Sequence, residues 1–123
     1  MVQGRGISAT MVVLCMLGVF SEMAHATTYV VGGHTGGWAF NMTGWPTGKN
    51  FKAGDILVFN YNPQYHNVVT VDETGYNSCT AAPGSKTYQS GHDSITLAKG
   101  TTYFICTFFG HCEAKMKIAA TAA

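Results

Sequence analysis

This chain has little charge and no concentrated charge of either sign. Seven Lys/Arg stand against six Asp/Glu in 123 residues, a net of +1, and the lysines are scattered. That argues against a nucleic-acid-binding surface, which needs a clustered basic face. Long apolar runs are also missing. The longest, residues 11–20, is shorter than the roughly 20 residues that cross a bilayer, and polar Ser21, Glu22 and His25 follow it. No Pro/Ser-rich stalk or hydrophobic tail follows Ala119, which speaks against a lipid-linked C-terminus. Internal repeats, low-complexity tracts and linkers are absent, so one domain is the economical expectation.

The first 26 residues read as a secretory signal. Arg5 supplies the positive start, Met11 to Phe20 the apolar run, and Ala24-His25-Ala26 a small-residue cleavage site. Residues 27–123 then form the expected domain, large enough for one core. Export changes the cysteine arithmetic. Cys15 leaves with the signal, and Cys79, Cys106 and Cys112 remain, an odd number in an oxidising compartment. Two should pair, leaving the third as a reactive thiol, a partner for another chain or a metal ligand. Of the methionines only Met42 and Met116 remain.

The domain reads as all-β. Stretches rich in β-branched and aromatic residues predict strands over 28–31, 56–61, 66–71, 94–97, 102–106 and 115–119. Turn pairs such as Gly36-Gly37, Asn62-Pro63, Pro83-Gly84 and Lys99-Gly100 separate them. This spacing implies a sandwich or barrel. Residues 72–90 are less regular and fit a short helix or a long crossover loop. Ile95 and Leu97 alternate with Ser94 and Thr96, as in a half-buried strand, whereas Tyr103-Phe104-Ile105 is continuously apolar, as in a strand buried on both faces. Trp38, Phe40, Trp45 and Tyr61 are expected in the core or at its rim. His34 and His92 are expected exposed, in Gly-flanked loops.

The chemistry concentrates in residues 106–116. Cys106, His111 and Met116 stand five residues from one another. In a strand that spacing would scatter them to opposite faces, so convergence requires a turn, which Gly110 permits. His66, after the Asn62-Pro63 turn, is the leading source of a second imidazole at a neighbouring strand end. One thiolate, two imidazoles and a distant thioether are the donors of a blue-copper electron-transfer centre. Zinc is the main chemical rival, but structural zinc sites take four Cys/His donors without Met. A Cys/His nucleophile pair lacks a third residue or an oxyanion signature.

Three cysteine pairings are conceivable. Joining Cys106 to Cys112 would use up the best ligand, and joining Cys79 to Cys106 would leave Cys112 beside His111, pointing away from it. Joining Cys79 to Cys112 leaves Cys106 free and ties down the ligand loop, and is preferred. Asn41-Met42-Thr43 is a sequon for N-glycosylation in an exported chain.

Taken together, Tyr29-Val30-Val31-Gly32-Gly33, Gly37-Trp38, Phe51-Lys52-Ala53-Gly54-Asp55, Phe59-Asn60-Tyr61, His66-Asn67-Val68-Val69, Tyr103-Phe104-Ile105-Cys106, Gly110-His111-Cys112 and Met116-Lys117-Ile118 resemble the phytocyanins. These are plant blue-copper proteins, and the likeness is strongest to the plantacyanin branch. The resemblance implies a cupredoxin-like Greek-key β-sandwich or barrel with one or two short helices. It implies one copper ion, with His66, Cys106 and His111 as equatorial ligands and Met116 as the weak axial one, and a Cys79–Cys112 disulfide. Asn67 is implied to support the site through a backbone amide to the Cys106 sulfur. The edge of His111, flanked by Phe108 and Phe109, is implied as the electron port. Met116 separates the chain from stellacyanin-like relatives, which place Gln there. Phe109 stands where many plantacyanins have Pro, and His34-Thr35 lengthens the loop before Gly36-Gly37.

The expected function is that of a secreted one-electron carrier, monomeric, in the plant apoplast or cell wall, with an unidentified redox or cell-wall partner. The competing class is a matrix or signalling protein in which copper is structural or incidental. An enzyme is disfavoured, because four protein ligands leave no open position for substrate.

Overall fold

The computed structural model describes residues 25–123. The signal expected over 1–26 lies outside these residues, apart from its last two positions. Seven strands and two short helices follow in order: β1 (Thr28–Val30), α1 (Gly33–Gly36), β2 (Ile56–Asn60), β3 (Val68–Val71), α2 (Glu73–Ser78), β4 (Lys86–Tyr88), β5 (His92–Thr96), β6 (Gly100–Ile105) and β7 (Lys117–Ala122). They build two sheets, ordered β1-β2-β5 and β4-β3-β6-β7. Within the first, β1 runs parallel to β2 and β5 antiparallel to it. Every pairing in the second is antiparallel. This is the all-β sandwich with short helices that the sequence implies.

Alternation along each strand sorts side chains into two cores. Leu57, Phe59 and Ile95 from one sheet, with Leu97 just after β5, meet Val68, Phe104, Ile118 and Ala120 from the other, and Trp38, Cys106 and Met116 lie in the same cluster. Outside the second sheet, Val69, Ile105 and Cys112 form a smaller cluster with Val71, Tyr76 and Cys79. β3 and β6 therefore bury both faces at Val68/Val69 and Phe104/Ile105, which explains their uninterrupted apolar sequence. On β5 the pattern is strictly alternating, with Asp93 and Ile95 in and His92, Ser94 and Thr96 out.

Several boundaries differ from the sequence reading. β3 begins at Val68 rather than at 66, because residues 63–65 turn and the His66 N–H bonds back to Asn62 O at 3.1 Å. β7 begins at Lys117 rather than at 115, since residues 109–115 are occupied by turns, and it runs on to Ala122. β4, three residues long and largely exposed, carries no alternation that would announce it. α2 fills part of the irregular 72–90 segment. The Asp72 side chain caps it by accepting from the Gly75 N–H at 2.8 Å, and Cys79 ends it in the left-handed region at φ 56°. His34 lies in α1 and His92 opens β5, rather than both sitting in loops; both are exposed, as expected. Phe40 does not enter the core and is 45% exposed.

One buried carboxylate closes the sandwich below the first sheet. Asp55 accepts from the Thr27 N–H and the Lys52 N–H, both at 2.8 Å, so it ties the approach to β1 onto the turn that enters β2. The Thr27 and Lys52 hydrogen bonds hold its pKa below the usual carboxylate value of 3.8. A carboxylate with a depressed folded pKa stabilises the native state above its unfolded pKa and ceases to do so as pH falls through the folded one. Asp55→Asn should therefore lower the urea midpoint at pH 7. It should also flatten the loss of stability below about pH 4, as read from urea melts at pH 7 and pH 3.

Candidate metal centre

The four sequence-proposed donors converge at one end of the second sheet, and strand direction is the reason. β6 is antiparallel to both β3 and β7, so the exit of β6 lies beside the entries of β3 and β7. Cys106 follows β6 directly, His66 stands two residues before β3, and His111 and Met116 precede β7. The Cys106 N–H bonds to Met116 O at 3.0 Å, which extends the β6–β7 ladder into the site.

The intervening loop is held by its own backbone. His111 N–H bonds to Phe108 O at 3.0 Å, Ala114 N–H to Gly110 O at 3.1 Å, Lys115 N–H to Cys112 O at 2.8 Å, and Met116 N–H to His111 O at 3.0 Å. Two left-handed residues make the reversal, Gly110 at φ 78° and Lys115 at φ 67°. Glycine carries no steric penalty in that region, while lysine does. A disulfide between Cys79 and Cys112, 33 residues apart, fastens the loop to the end of α2. In the chain-entropy model a closure of that size contributes roughly 3–4 kcal/mol. Among the described residues Cys106 is left as the free, buried thiol, so the preferred pairing is the one present.

The donors face a common point. His66 Nδ1 and His111 Nδ1 are 3.1 Å apart, Cys106 Sγ is 3.5 Å from His111 Nδ1, and one donor atom from each of the three lies within 4.8 Å of the others. Donors bound about 2.0–2.3 Å from one tetrahedral ion are roughly 3–4 Å apart, so the triad is spaced for a single ion. Met116 is fully buried in the adjoining core cluster. Another donor group, Cys79, Cys112 and Glu113, offers no thiolate because its sulfurs are joined in the disulfide. His34 and His92 do not reach the site.

Electrostatics prepare the donors unequally. Burial pushes the Cys106 thiol above its ordinary value, and hydrogen bonds from the Asn67 and Phe108 backbone oppose that shift. Burial, with the nearby His111, pulls His66 down, so its ring is neutral and ready to bind at pH 7.

Asn67 does more than its backbone amide suggested. Its side-chain Oδ1 accepts from the Thr107 N–H at 2.9 Å, and its Nδ2 donates to Thr107 Oγ1 at 2.8 Å. The segment carrying His66 is thereby clamped to the residue after Cys106. Trp38 Nε1–H holds the Asn67 carbonyl at 2.9 Å, and its ring meets Phe59 edge-on. Sequence reasoning gave Trp38 only a core role and missed Thr107. It also missed Phe40, whose ring lies edge-on to both His111 and His66 at centroid distances of 5.0 and 5.8 Å. No periodicity could have flagged Phe40, because its partners are remote in sequence.

Comparison with known proteins agrees with this geometry. A plastocyanin-like domain matches residues 38–116. A chemocyanin from Lilium longiflorum is 53% identical over 127 residues, spanning the full length of both chains. A basic blue protein from Arabidopsis thaliana is 50% identical over 129 residues, covering 99% of each. The solved structure of cucumber basic protein, a blue copper protein, is similar with a TM-score of 0.77 at 57% identity, over 79% of this chain and all of that one. The chain belongs to the phytocyanin family.

As a phytocyanin it carries a His-Cys-Met-type site, made of His66, Cys106, His111 and Met116, for one copper ion, and it is a copper electron carrier. The donor chemistry fits that ion: a soft thiolate and thioether with two imidazoles suit copper in both oxidation states. Cys106→Ser should abolish the intense blue colour of the oxidised, copper-loaded protein in visible spectroscopy. Because burial keeps the Cys106 thiol protonated in the apoprotein at pH 7 and its proton must leave for the sulfur to bind as thiolate, copper(II) uptake should release a proton and tighten as pH rises. Indicator-dye titration across pH 6–8 measures both, and Cys106→Ser should remove the thiol's share.

Proposed function

We propose that the protein is an exported, monomeric one-electron carrier of the plant apoplast or cell wall. It serves an unidentified redox or cell-wall partner and catalyses no substrate transformation. The observation that carries the reading is the asymmetry of the donors. Cys106 and Met116 are buried while His66 and His111 are both partly exposed, and His111, stacked on Phe108, turns its Nδ1 inward toward Cys106 and His66. The opposite edge of its ring is the electron port, bordered by Phe108, stacked at 5.9 Å, and by the fully exposed Phe109.

Bound copper supplies a centre that alternates between Cu(I) and Cu(II) by one electron. The chain's residues keep that exchange cheap in reorganisation. The 106–116 loop is hydrogen-bonded in its final shape, the Asn67–Thr107 clamp fixes His66 relative to Cys106, and Phe40 packs against both imidazoles. Backbone amides of Asn67 and Phe108 directed at the Cys106 sulfur withdraw electron density from the thiolate and tune the potential. With four donors from the chain itself, no position stays open for substrate and no second copy is needed.

Export is supported by the signal-like residues 1–26, by a disulfide suited to an oxidising compartment, and by the Asn41 sequon, which would then carry a glycan. No helix among the described residues is long and apolar enough to cross a membrane. On this reading the signal is removed after Ala26 and the mature domain begins at Thr27. The oxidised protein should bleach on addition of one reducing equivalent per copper and recover its colour on reoxidation, followed by visible and EPR spectroscopy. A copper-loaded protein that is colourless, or that takes up two electrons per ion, would overturn the assignment.

A further inference from the structure

The Asn41-Met42-Thr43 sequon lies against the metal-binding loop. The Asn41 N–H bonds to Ala114 O at 3.3 Å and the Met42 N–H to Lys115 O at 2.9 Å, so its backbone is stitched to the segment between His111 and Met116. Asn41 and Thr43 are exposed, while Met42 between them is partly buried against the core. Asn41 is held in the left-handed region at φ 59°, which asparagine tolerates better than most residues. Its chain neighbour Phe40 is the residue whose ring covers both ligand imidazoles.

We propose that an N-linked glycan on Asn41 stands at the rim of the copper site and restricts the approach of protein partners to the His111 edge, while small redox agents still reach it. Electron exchange between proteins requires close contact of a defined patch, and orientation already limits the rate of such encounters. A bulky, hydrated glycan rooted one residue from Phe40 removes a share of the productive orientations. A small ion needs no extended patch and is not excluded in this way. Because the sequon backbone is pinned to Ala114 and Lys115, the glycan cannot swing clear by moving its attachment point. The device rests on the export reading above, since the modification requires passage through the secretory pathway.

The test is to express the full chain in a plant secretory host and recover it from the medium. Wild type, Thr43→Ala and Thr43→Ser are compared with enzymatically deglycosylated wild type. Serine preserves the sequon, so Thr43→Ser should retain a glycan mass on the Asn41 peptide that Thr43→Ala lacks. Stopped-flow oxidation of the reduced copper protein by ferricytochrome c should be roughly tenfold faster for Thr43→Ala and for deglycosylated wild type than for wild type or Thr43→Ser. Oxidation by hexacyanoferrate(III) should be the same for all four, with unchanged visible spectra. A secreted wild type without glycan on Asn41, or equal rates with ferricytochrome c before and after deglycosylation, would overturn the proposal and leave the export reading standing. Retention of the wild type inside the cell would overturn both.

Discussion

The pairing of β6 between β3 and β7 is the constraint on which the metal centre depends. Both pairings are antiparallel, so one strand exit and two strand entries share an end of the sheet. A parallel arrangement of either neighbour would send its donors to the far end. The ladder continues through Cys106 N–H to Met116 O, which makes the outermost sheet hydrogen bonds part of the site. Sheet cohesion and donor placement are in this sense one interaction.

The same geometry divides labour between the faces of β6. Phe104 and Cys106 point into the main core and Ile105 into the cluster that holds Cys112. The sulfur that binds metal and the sulfur that anchors the loop consequently lie on opposite sides of the second sheet. Burial of Cys106 raises the cost of its anion, which the Asn67 and Phe108 amides partly offset and metal binding completes. The Asn67 side chain meanwhile bridges to Thr107. A single residue next to His66 thus supports two of the donors, and Trp38 holds that residue in place from the core.

The surface above the centre has an uneven character. Phe109 and Phe40 leave apolar area exposed around the partly exposed His111, whereas the adjoining Asn41-Met42-Thr43 turn is polar at its exposed positions. Of the four donors, Cys106 and Met116 are buried, while His66 and His111 are both partly exposed.

Much of this was legible from residue order. The three cysteines beyond residue 26, the soft donors within residues 106–116 and the two-residue alternation of β5 are readable from residue order, and each points to its role without knowledge of distant contacts. His66 and the Cys79–Cys112 pair were also reached from the residues, and the resemblance to phytocyanins implied the same two and added Asn67 as a support of the site. Boundaries were less legible, because β3 and β7 begin only after turns whose residues also look strand-like. β4 is too short and too exposed to show a pattern. Phe40 as a cover for two histidines, Thr107 as the partner of Asn67, and the contact of the sequon with Ala114 and Lys115 were settled by tertiary structure alone. Donor chemistry and local periodicity are written in residue order, whereas contacts between residues far apart in the chain, such as Phe40 with His66 and His111 or Asn67 with Thr107, depend on which strands pair and in which direction.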